Sequence, residues 1–125
     1  RENIPGESGT HGIEYDPFEP GTLWIQELKA QKAHQVKVAD WSILKTVELP
    51  YERGHGMIRV EDGLWVTHTG RRLIIKLDVD TSEEMDRIEV PDPHPEPHGL
   101  SKLTDDTWVY CDAASGWVTK IELDQ

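Results

Sequence analysis

The sequence predicts an all-β fold, because three features recur in the same order along its 125 residues. A His-Gly pair comes first and is followed by an apolar residue, then comes a tryptophan in a mostly apolar triplet, and then a segment centred on a lysine. The His-Gly pairs stand at residues 11–12, 55–56 and 98–99, the tryptophan triplets at 23–25, 64–66 and 107–109, and the lysine segments at 36–38, 75–77 and 119–121. The period of about 43 residues indicates a repeated structural unit.

Each unit predicts four short strands, here called a to d. Strand a follows His-Gly, strand b carries the tryptophan, strand c carries the lysine, and strand d is the segment that ends in Pro50 or Pro91. Glycine-containing turn signals separate the strands, and near-continuous apolar triplets are typical of strands buried on both faces. Residues 28–33 and 82–87 have helical propensity, but each stretch is too short for a stable helix, so both are predicted to be charged hairpin tips.

Four strands in about 43 residues are typical of a blade of a β-propeller. A sandwich of about eleven strands is the alternative, but it does not explain why His-Gly and tryptophan recur. The sequence therefore predicts a β-propeller made of four-stranded blades.

The number of strands predicts three blades for each chain. Residues 1–10 are expected to supply a strand d that closes a blade, residues 11–54 form blade 1, residues 55–97 form blade 2, and residues 98–125 supply strands a to c of blade 3. Three blades are fewer than the usual four to eight. We therefore expect a homodimer, a six-bladed ring in which the first strand of one chain completes the last blade of the other. The alternative is that the chain is a piece of a longer six-bladed protein.

The charge of the chain limits its partners. Thirteen Lys and Arg against 24 Asp and Glu give a net charge of −11, which disfavours binding to nucleic acid or to an anionic membrane surface. The sequence has no apolar run of 18 residues and no secretory leader, so a soluble and more cytoplasmic than periplasmic or secreted protein is expected. Cys111 is the only cysteine, which excludes an internal disulfide and a cysteine-based zinc cluster. A second copy of the chain and a small-molecule ligand are the expected partners.

The order of the strands predicts where a site would lie. Strand a is innermost and strand b runs antiparallel to it, so the start of a and the end of b should meet beside the central channel. The residues expected there are His11, His55 and His98 at the starts of strands a, and Glu27, His68 and Cys111 with Asp112 at the ends of strands b. Imidazoles with carboxylates suit a divalent transition metal, although its identity is left open. The alternative is that each His-Gly histidine hydrogen-bonds the backbone of the neighbouring blade.

The repeat resembles the blade of the streptogramin B lyases and, more widely, of gluconolactonase-like and NHL-type propellers. The family repeat runs Pro-His-Gly-Ile, then Gly-x-Trp-Phe-Thr-Glu, then Ile-x-Arg-Ile-Asp, and PHGL at 97–100 and LWIQE at 23–27 match it most closely. The resemblance implies a propeller in which a divalent cation and a histidine open a cyclic ester by elimination. It assigns these roles to the His-Gly histidines and to Glu27. The chain departs from the family at His68 and Cys111, and the family has seven blades in one chain.

The hypothesis from sequence is a metal-assisted lyase or lactonase that acts on a small cyclic ester or lactone. The predicted catalytic residues are His98 and His55, the predicted metal ligands are Glu27, His68 and His11, and the predicted substrate-binding residues are Asp112, Trp117 and His94. The alternative is a non-catalytic binding or assembly module for a small ligand or a protein. The difference between Glu27 and His68 at one repeat position favours an enzyme, since a scaffold does not require it.

The sequence also predicts whether four further side chains are packed or exposed. The tryptophan of each triplet, Trp24, Trp65 and Trp108, is expected to pack between blades, because it recurs in every unit. His34 is expected to be exposed.

Overall fold

Antiparallel strands make up nearly all the regular structure in the computed structural model, which describes residues 9–123. The one helical element among these residues is a 3₁₀ turn at Thr69–Arg71, and no described helix is long and apolar enough to cross a membrane. The strands are β1 (Thr10–Tyr15), β2 (Thr22–Glu27), β3 (Lys32–Lys37), β4 (Ile43–Glu48), β5 (Gly54–Val60), β6 (Gly63–His68), β7 (Leu73–Leu77), β8 (Glu84–Glu89), β9 (Gly99–Lys102), β10 (Thr107–Cys111) and β11 (Val118–Glu122).

The strands form three antiparallel sheets in which neighbours in sequence are neighbours in space. Strands β1 to β4 form blade 1, β5 to β8 form blade 2, and β9 to β11 form the described part of blade 3. The inner strands β1, β5 and β9 contact one another in that order. This arrangement confirms the predicted all-β fold of propeller blades. The predicted closing strand at residues 1–10 lies outside the described residues except for Gly9 and Thr10, and Thr10 begins β1.

Of the two stretches with helical propensity, the first is a hairpin tip as predicted over residues 28–31, whereas residues 32 and 33 already belong to β3. Residues 28–31 form the turn between β2 and β3. The second differs from the prediction, since Glu84–Glu89 is β8, the outer strand of blade 2. Pairing with β7 and the packing of one face decide the state of so short a segment, and helical propensity does not.

Two apolar layers hold the blades together. We call the side of a blade that looks toward the blade before it in sequence the preceding side, and the opposite side the following side. Between blades 1 and 2 the buried side chains are Trp24, Ala33, Val47, Met57, Leu64, Val66, Ile75 and Leu77. Between blades 2 and 3 they are Ile58, Trp65, Ile74, Trp108 and Tyr110. Each large side chain buried in these layers contributes about 1.5–3 kcal/mol, so the layers are the main stabilising contribution.

The tryptophans pack between blades, but they are not equivalent. Trp24 and Trp65 lie on the following sides of their blades, whereas Trp108 lies on the preceding side of blade 3 and meets Trp65 at 5.1 Å between ring centroids. The turn between β5 and β6 has two residues, because Val60 pairs with Gly63. The corresponding turn in blade 3 has three, because the Leu103 N–H bonds the Thr107 carbonyl. One extra turn residue moves every later side chain to the other face of the strand.

Candidate functional site

The three His-Gly histidines form one row where the inner strands adjoin. The ring centroids of His55 and His98 are 3.9 Å apart and nearly parallel, and those of His11 and His55 are 4.5 Å apart. Together with the two residues after each of them, they line a pocket of about 270 Å³ at residues 11–13, 55–57 and 98–100. Residues up to 87 positions apart in sequence thus meet, as predicted from the strand order.

The row is set by close backbone contacts between blades. The Gly56 N–H donates to the His98 carbonyl over 3.0 Å, and a side-chain carbon added at Gly56 would lie 2.8 Å from that oxygen. Gly12 similarly faces the His55 carbonyl and has a φ of +73°, which favours glycine. Each glycine therefore leaves room for the histidine carbonyl of the next blade.

Side chains of strand b complete these junctions. The Gln26 Nε2 donates to the His55 carbonyl over 2.5 Å, and the Thr67 hydroxyl donates to the His98 carbonyl over 2.7 Å. The contacts agree with the alternative in which the His-Gly pairs join blades, but they use the histidine carbonyls and leave the imidazole rings for the pocket.

The imidazole of His55 is neutral at pH 7. Burial and, after it, electrostatic repulsion from the neighbouring rings of His98 and His11 together lower its pKa from 6.5 to about 4. The Nδ1 atoms of His11 and His55 are 2.6 Å apart, so one ring donates its N–H and the other accepts. Within the described residues the Nε2 of His55 is buried and has no hydrogen-bond partner. His55 Nε2 is therefore an unsatisfied polar atom beside the pocket, a donor if His55 accepts from His11 and an acceptor if His55 donates.

Glu27 lies with a histidine that the sequence placed at the surface. The Nε2 of His34 is 3.1 Å from the Glu27 carboxylate, and its Nδ1 is 2.9 Å from the Thr46 hydroxyl. The side chain of His34 is 7% exposed, so the prediction that it is exposed is wrong. It lies opposite Ile25 in β3, and this register turns it toward Glu27 on the preceding side of blade 1.

His68 lies in a different environment. Its ring is fully buried, packs edge-on against Tyr51 at 5.7 Å, and has no hydrogen-bond partner on either nitrogen among the residues that the structure describes. Burial lowers its pKa, because the charged ring would lose its hydration. His68 is on the preceding side of blade 2, facing blade 1, whereas Glu27 is on the far side of the blade 1 sheet. The blade 1 sheet therefore separates the two side chains, and their place at the wall of the channel stays a prediction.

The predicted metal ligands Glu27, His68 and His11 are therefore not brought together. Across residues 9–123 no group of three or more His, Cys, Asp or Glu side chains is arranged to hold a metal ion. The histidine row does not fit a metal either: two nitrogens on one tetrahedral zinc are about 3.3 Å apart, more than the 2.6 Å between the Nδ1 atoms of His11 and His55. A divalent ion stays a prediction from sequence.

The three predicted substrate-binding residues lie outside the histidine pocket. By strand register Asp112 is the equivalent of Glu27 and His68, since Leu100 pairs with Tyr110 as Met57 pairs with Val66. Its carboxylate accepts the Ala114, Ser115 and Glu96 N–H groups, and these bonds hold its pKa below the usual range. Trp117 is 67% exposed in the turn between β10 and β11. His94 is exposed and borders a second pocket, between β8 and β11.

Sequence analysis did not identify a buried ion pair between blades 1 and 2. The carboxylate of Asp16 is fully buried and accepts hydrogen bonds from the Arg59 Nε at 2.9 Å and the Trp24 Nε1 at 3.0 Å, and also from backbone N–H groups. Burial opposes ionisation of Asp16, but these hydrogen bonds outweigh it and lower its pKa. The signal in the sequence was an aspartate at the start of the turn that precedes Trp24, with an arginine inside an otherwise apolar strand.

Two four-stranded and one three-stranded antiparallel sheet stack face to face, and their inner strands adjoin. This arrangement defines the chain as a set of β-propeller blades. Solved structures show the same fold. Hydrazine synthase of Kuenenia stuttgartiensis superposes with a TM-score of 0.70 and 18% identity over 92% of this chain and 33% of that chain. Virginiamycin B lyase from Staphylococcus aureus, in a catalytically inactive form with quinupristin, gives 0.64 and 21% over 95% and 43%.

A further structure described as streptogramin B lyase gives a TM-score of 0.56 and 15% identity over 95% of this chain and 42% of that chain. The chain therefore spans less than half the length of these proteins. No protein-family model matches the chain, and no curated protein sequence matches it. At these identities the similarity shows the propeller fold and no more.

Proposed function

We propose that the chain forms part of a propeller enzyme, a lyase or lactone hydrolase, that opens a small cyclic ester at the histidine pocket. The observation that carries the proposal is the row of His11, His55 and His98, in which three blades each contribute an imidazole to one pocket. The resemblance of the repeat to the streptogramin B lyases supports the choice of a cyclic ester, and one of the structurally similar lyases is described with quinupristin.

The imidazoles supply the proton transfer. His98 borders the pocket and acts as the base, taking a proton either from a carbon of the substrate or from water. In an elimination the electrons of that C–H bond form a carbon–carbon double bond while the neighbouring C–O bond breaks, and the ester leaves as a carboxylate. In a hydrolysis the deprotonated water attacks the ester carbonyl, the acyl C–O bond of the ring breaks, and the alkoxide leaves as an alcohol with the proton that His98 took up. Neutral His55 stacks on His98, so it adds no charge of its own beside a proton that His98 takes up.

The alternative is a binding or assembly module without catalysis. The observation that favours it is the use of the His55 and His98 carbonyls in the junctions between blades, which gives the His-Gly pairs a role that needs no reaction. In that case the pocket would bind a small ligand, and it would do so with the same imidazoles.

Replacing His98 with glutamine is expected to reduce turnover of a cyclic ester by about 10²–10⁴-fold, because general base catalysis contributes on that order. The assay offers quinupristin and a panel of simple lactones, and mass spectrometry separates elimination, which gives an isomer, from hydrolysis, which adds one water. The matched control is His94→Gln, an exposed histidine outside the pocket, which should keep full activity. Saturable binding without turnover would establish the alternative, and neither binding nor turnover would contradict both.

A further inference from the structure

We propose that the two open sides of the three-blade unit are the two halves of one more junction between blades, and that a second copy of this chain fills it. The following side of blade 3 in one copy packs on the preceding side of blade 1 in the other. A two-fold pair makes this contact twice, so both open sides of both chains are covered. The inference goes beyond the proposed function and does not depend on it.

The first observation is an unfilled contact point at Gly99. At Gly56, its equivalent in blade 2, an added side-chain carbon would lie 2.5 Å from the Leu100 nitrogen and 2.8 Å from the His98 carbonyl of the next blade. At Gly99 the same atom would meet only the Cys111 Sγ, at 3.0 Å. The space beside Gly99 is therefore large enough for a histidine carbonyl, and none of the described residues occupies it.

The second observation concerns the side chain that completes each junction. Strand register makes Gln26, Thr67 and Cys111 equivalent, each one position after the residue that pairs with Ile13, Met57 or Leu100. Gln26 and Thr67 donate to the histidine carbonyl of the following blade. Cys111 is a free and exposed thiol at that position, and a thiol is a weak hydrogen-bond donor. It thus lies where the carbonyl of a further His-Gly pair would come.

The third observation is that an apolar residue on each open side is exposed, whereas its equivalent in blade 2 is buried. Ile74 on the following side of blade 2 is fully buried, but Val118 at the same register position in blade 3 is 68% exposed. Met57 on the preceding side of blade 2 is 3% exposed, but Ile13 at the same position in blade 1 is 69% exposed. One apolar residue on each open side therefore lacks the cover that its equivalent has.

The repeat indicates what kind of surface would fill each open side. Blades 2 and 3 each present a preceding side that begins with His-Gly, and the following sides of blades 1 and 2 are built to receive it. Blade 1 begins with the same pair, His11-Gly12, and its preceding side is open. A second copy of the chain therefore offers blade 3 a surface of the kind that blade 2 already accepts. The pair would surround its pocket with six His-Gly histidines.

The test is the mass of the chain in solution, measured by light scattering over a range of concentrations. We expect twice the chain mass of 14.3 kDa for the unchanged protein. Gly99→Val should raise the dissociation constant at least about 30-fold, because its methyl groups occupy the space for the carbonyl. Inside one chain the new side chain meets only Cys111, so the fold should persist, as circular dichroism checks. The matched control is Gly70→Val, where an added carbon meets nothing within 4 Å.

The reactivity of Cys111 toward a thiol reagent gives an independent measure. The thiol should react slowly in the unchanged protein and at least about tenfold faster in Gly99→Val, because only the separated chains expose it. If Gly99→Val fails to fold, Val118→Glu at an exposed position replaces it, with the same expected loss of the pair. An unchanged protein that is monomeric, or trimeric, or a pair that both variants leave intact, would overturn the proposal.

Discussion

Replacing Asp16 with alanine is expected to lower the free energy of unfolding by about 3–5 kcal/mol, because it leaves the guanidinium of Arg59 buried without its counter-charge. The Arg59 side chain is 5% exposed and its Nε donates to Asp16. Its remaining described hydrogen bonds are to backbone carbonyls, which cannot neutralise the charge. Denaturant unfolding followed by tryptophan fluorescence measures the change, and Trp24 beside Asp16 reports on the site directly.

The matched control is the exposed pair Glu84–Arg87. Its two hydrogen bonds are 2.7 Å long, so it has good geometry without burial. Glu84→Ala should cost less than about 1 kcal/mol, as is usual for an exposed ion pair. Combining Asp16→Ala with Arg59→Met should cost less than the sum of the two single changes, because no charge is then left buried. Equal and small losses for the buried and the exposed pair would contradict the assignment of Asp16 and Arg59 as an inter-blade bond.

Replacing Gly56 with alanine is expected to destabilise the protein by about 3 kcal/mol, at the upper end of what overpacking costs. The added carbon would lie 2.5 Å from the Leu100 nitrogen and 2.8 Å from the His98 carbonyl, and both are backbone atoms that cannot move aside alone. The hydrogen bond from the Gly56 N–H to His98 would lengthen as the blades separate. Thermal unfolding should show a fall of roughly 10 °C in the midpoint.

Gly70→Ala is the control for this change, because the added carbon has open space around it. It should leave the midpoint within about 2 °C, as surface substitutions usually do. If Gly56→Ala were as well tolerated as Gly70→Ala, the close approach of blades 2 and 3 at the histidine row would be wrong.

The repeat made most of the fold predictable from sequence. His-Gly and lysine recur because each blade needs the same start of the inner strand and the same third strand. Each blade also places a tryptophan in a layer between blades, although Trp108 faces the opposite side from Trp24 and Trp65. The convergence of His11, His55 and His98 followed from strand order alone, since equivalent strand starts in stacked blades must adjoin. The reason for Gly56 was not visible, because a close approach between two backbones leaves no mark on the sequence beyond the glycine itself.

The directions of individual side chains were not predictable by counting residues. Trp108 stands at the same distance from its His-Gly pair as Trp65, yet one additional turn residue reverses its face. His34 was expected at the surface, but the register of β3 turns it inward toward Glu27. Face depends on the parity of a strand and its turn, and a spacing compared between repeats does not determine that parity.

The most direct test of the central claim, a pocket formed by imidazoles from three blades, is the titration of His55 by NMR. Ring-labelled protein is followed from pH 7.5 to 3.5, and His55→Gln identifies the signal. We expect a pKa of about 4, because the ring is buried against His98 and His11. This value lies below the 6.5 of an unfolded chain, so neutral His55 stabilises the fold fully above pH 6.5, and this contribution is lost as the pH falls toward 4. A midpoint near 6.5 would mean that the ring is solvated and apart from its neighbours, and would contradict the claim.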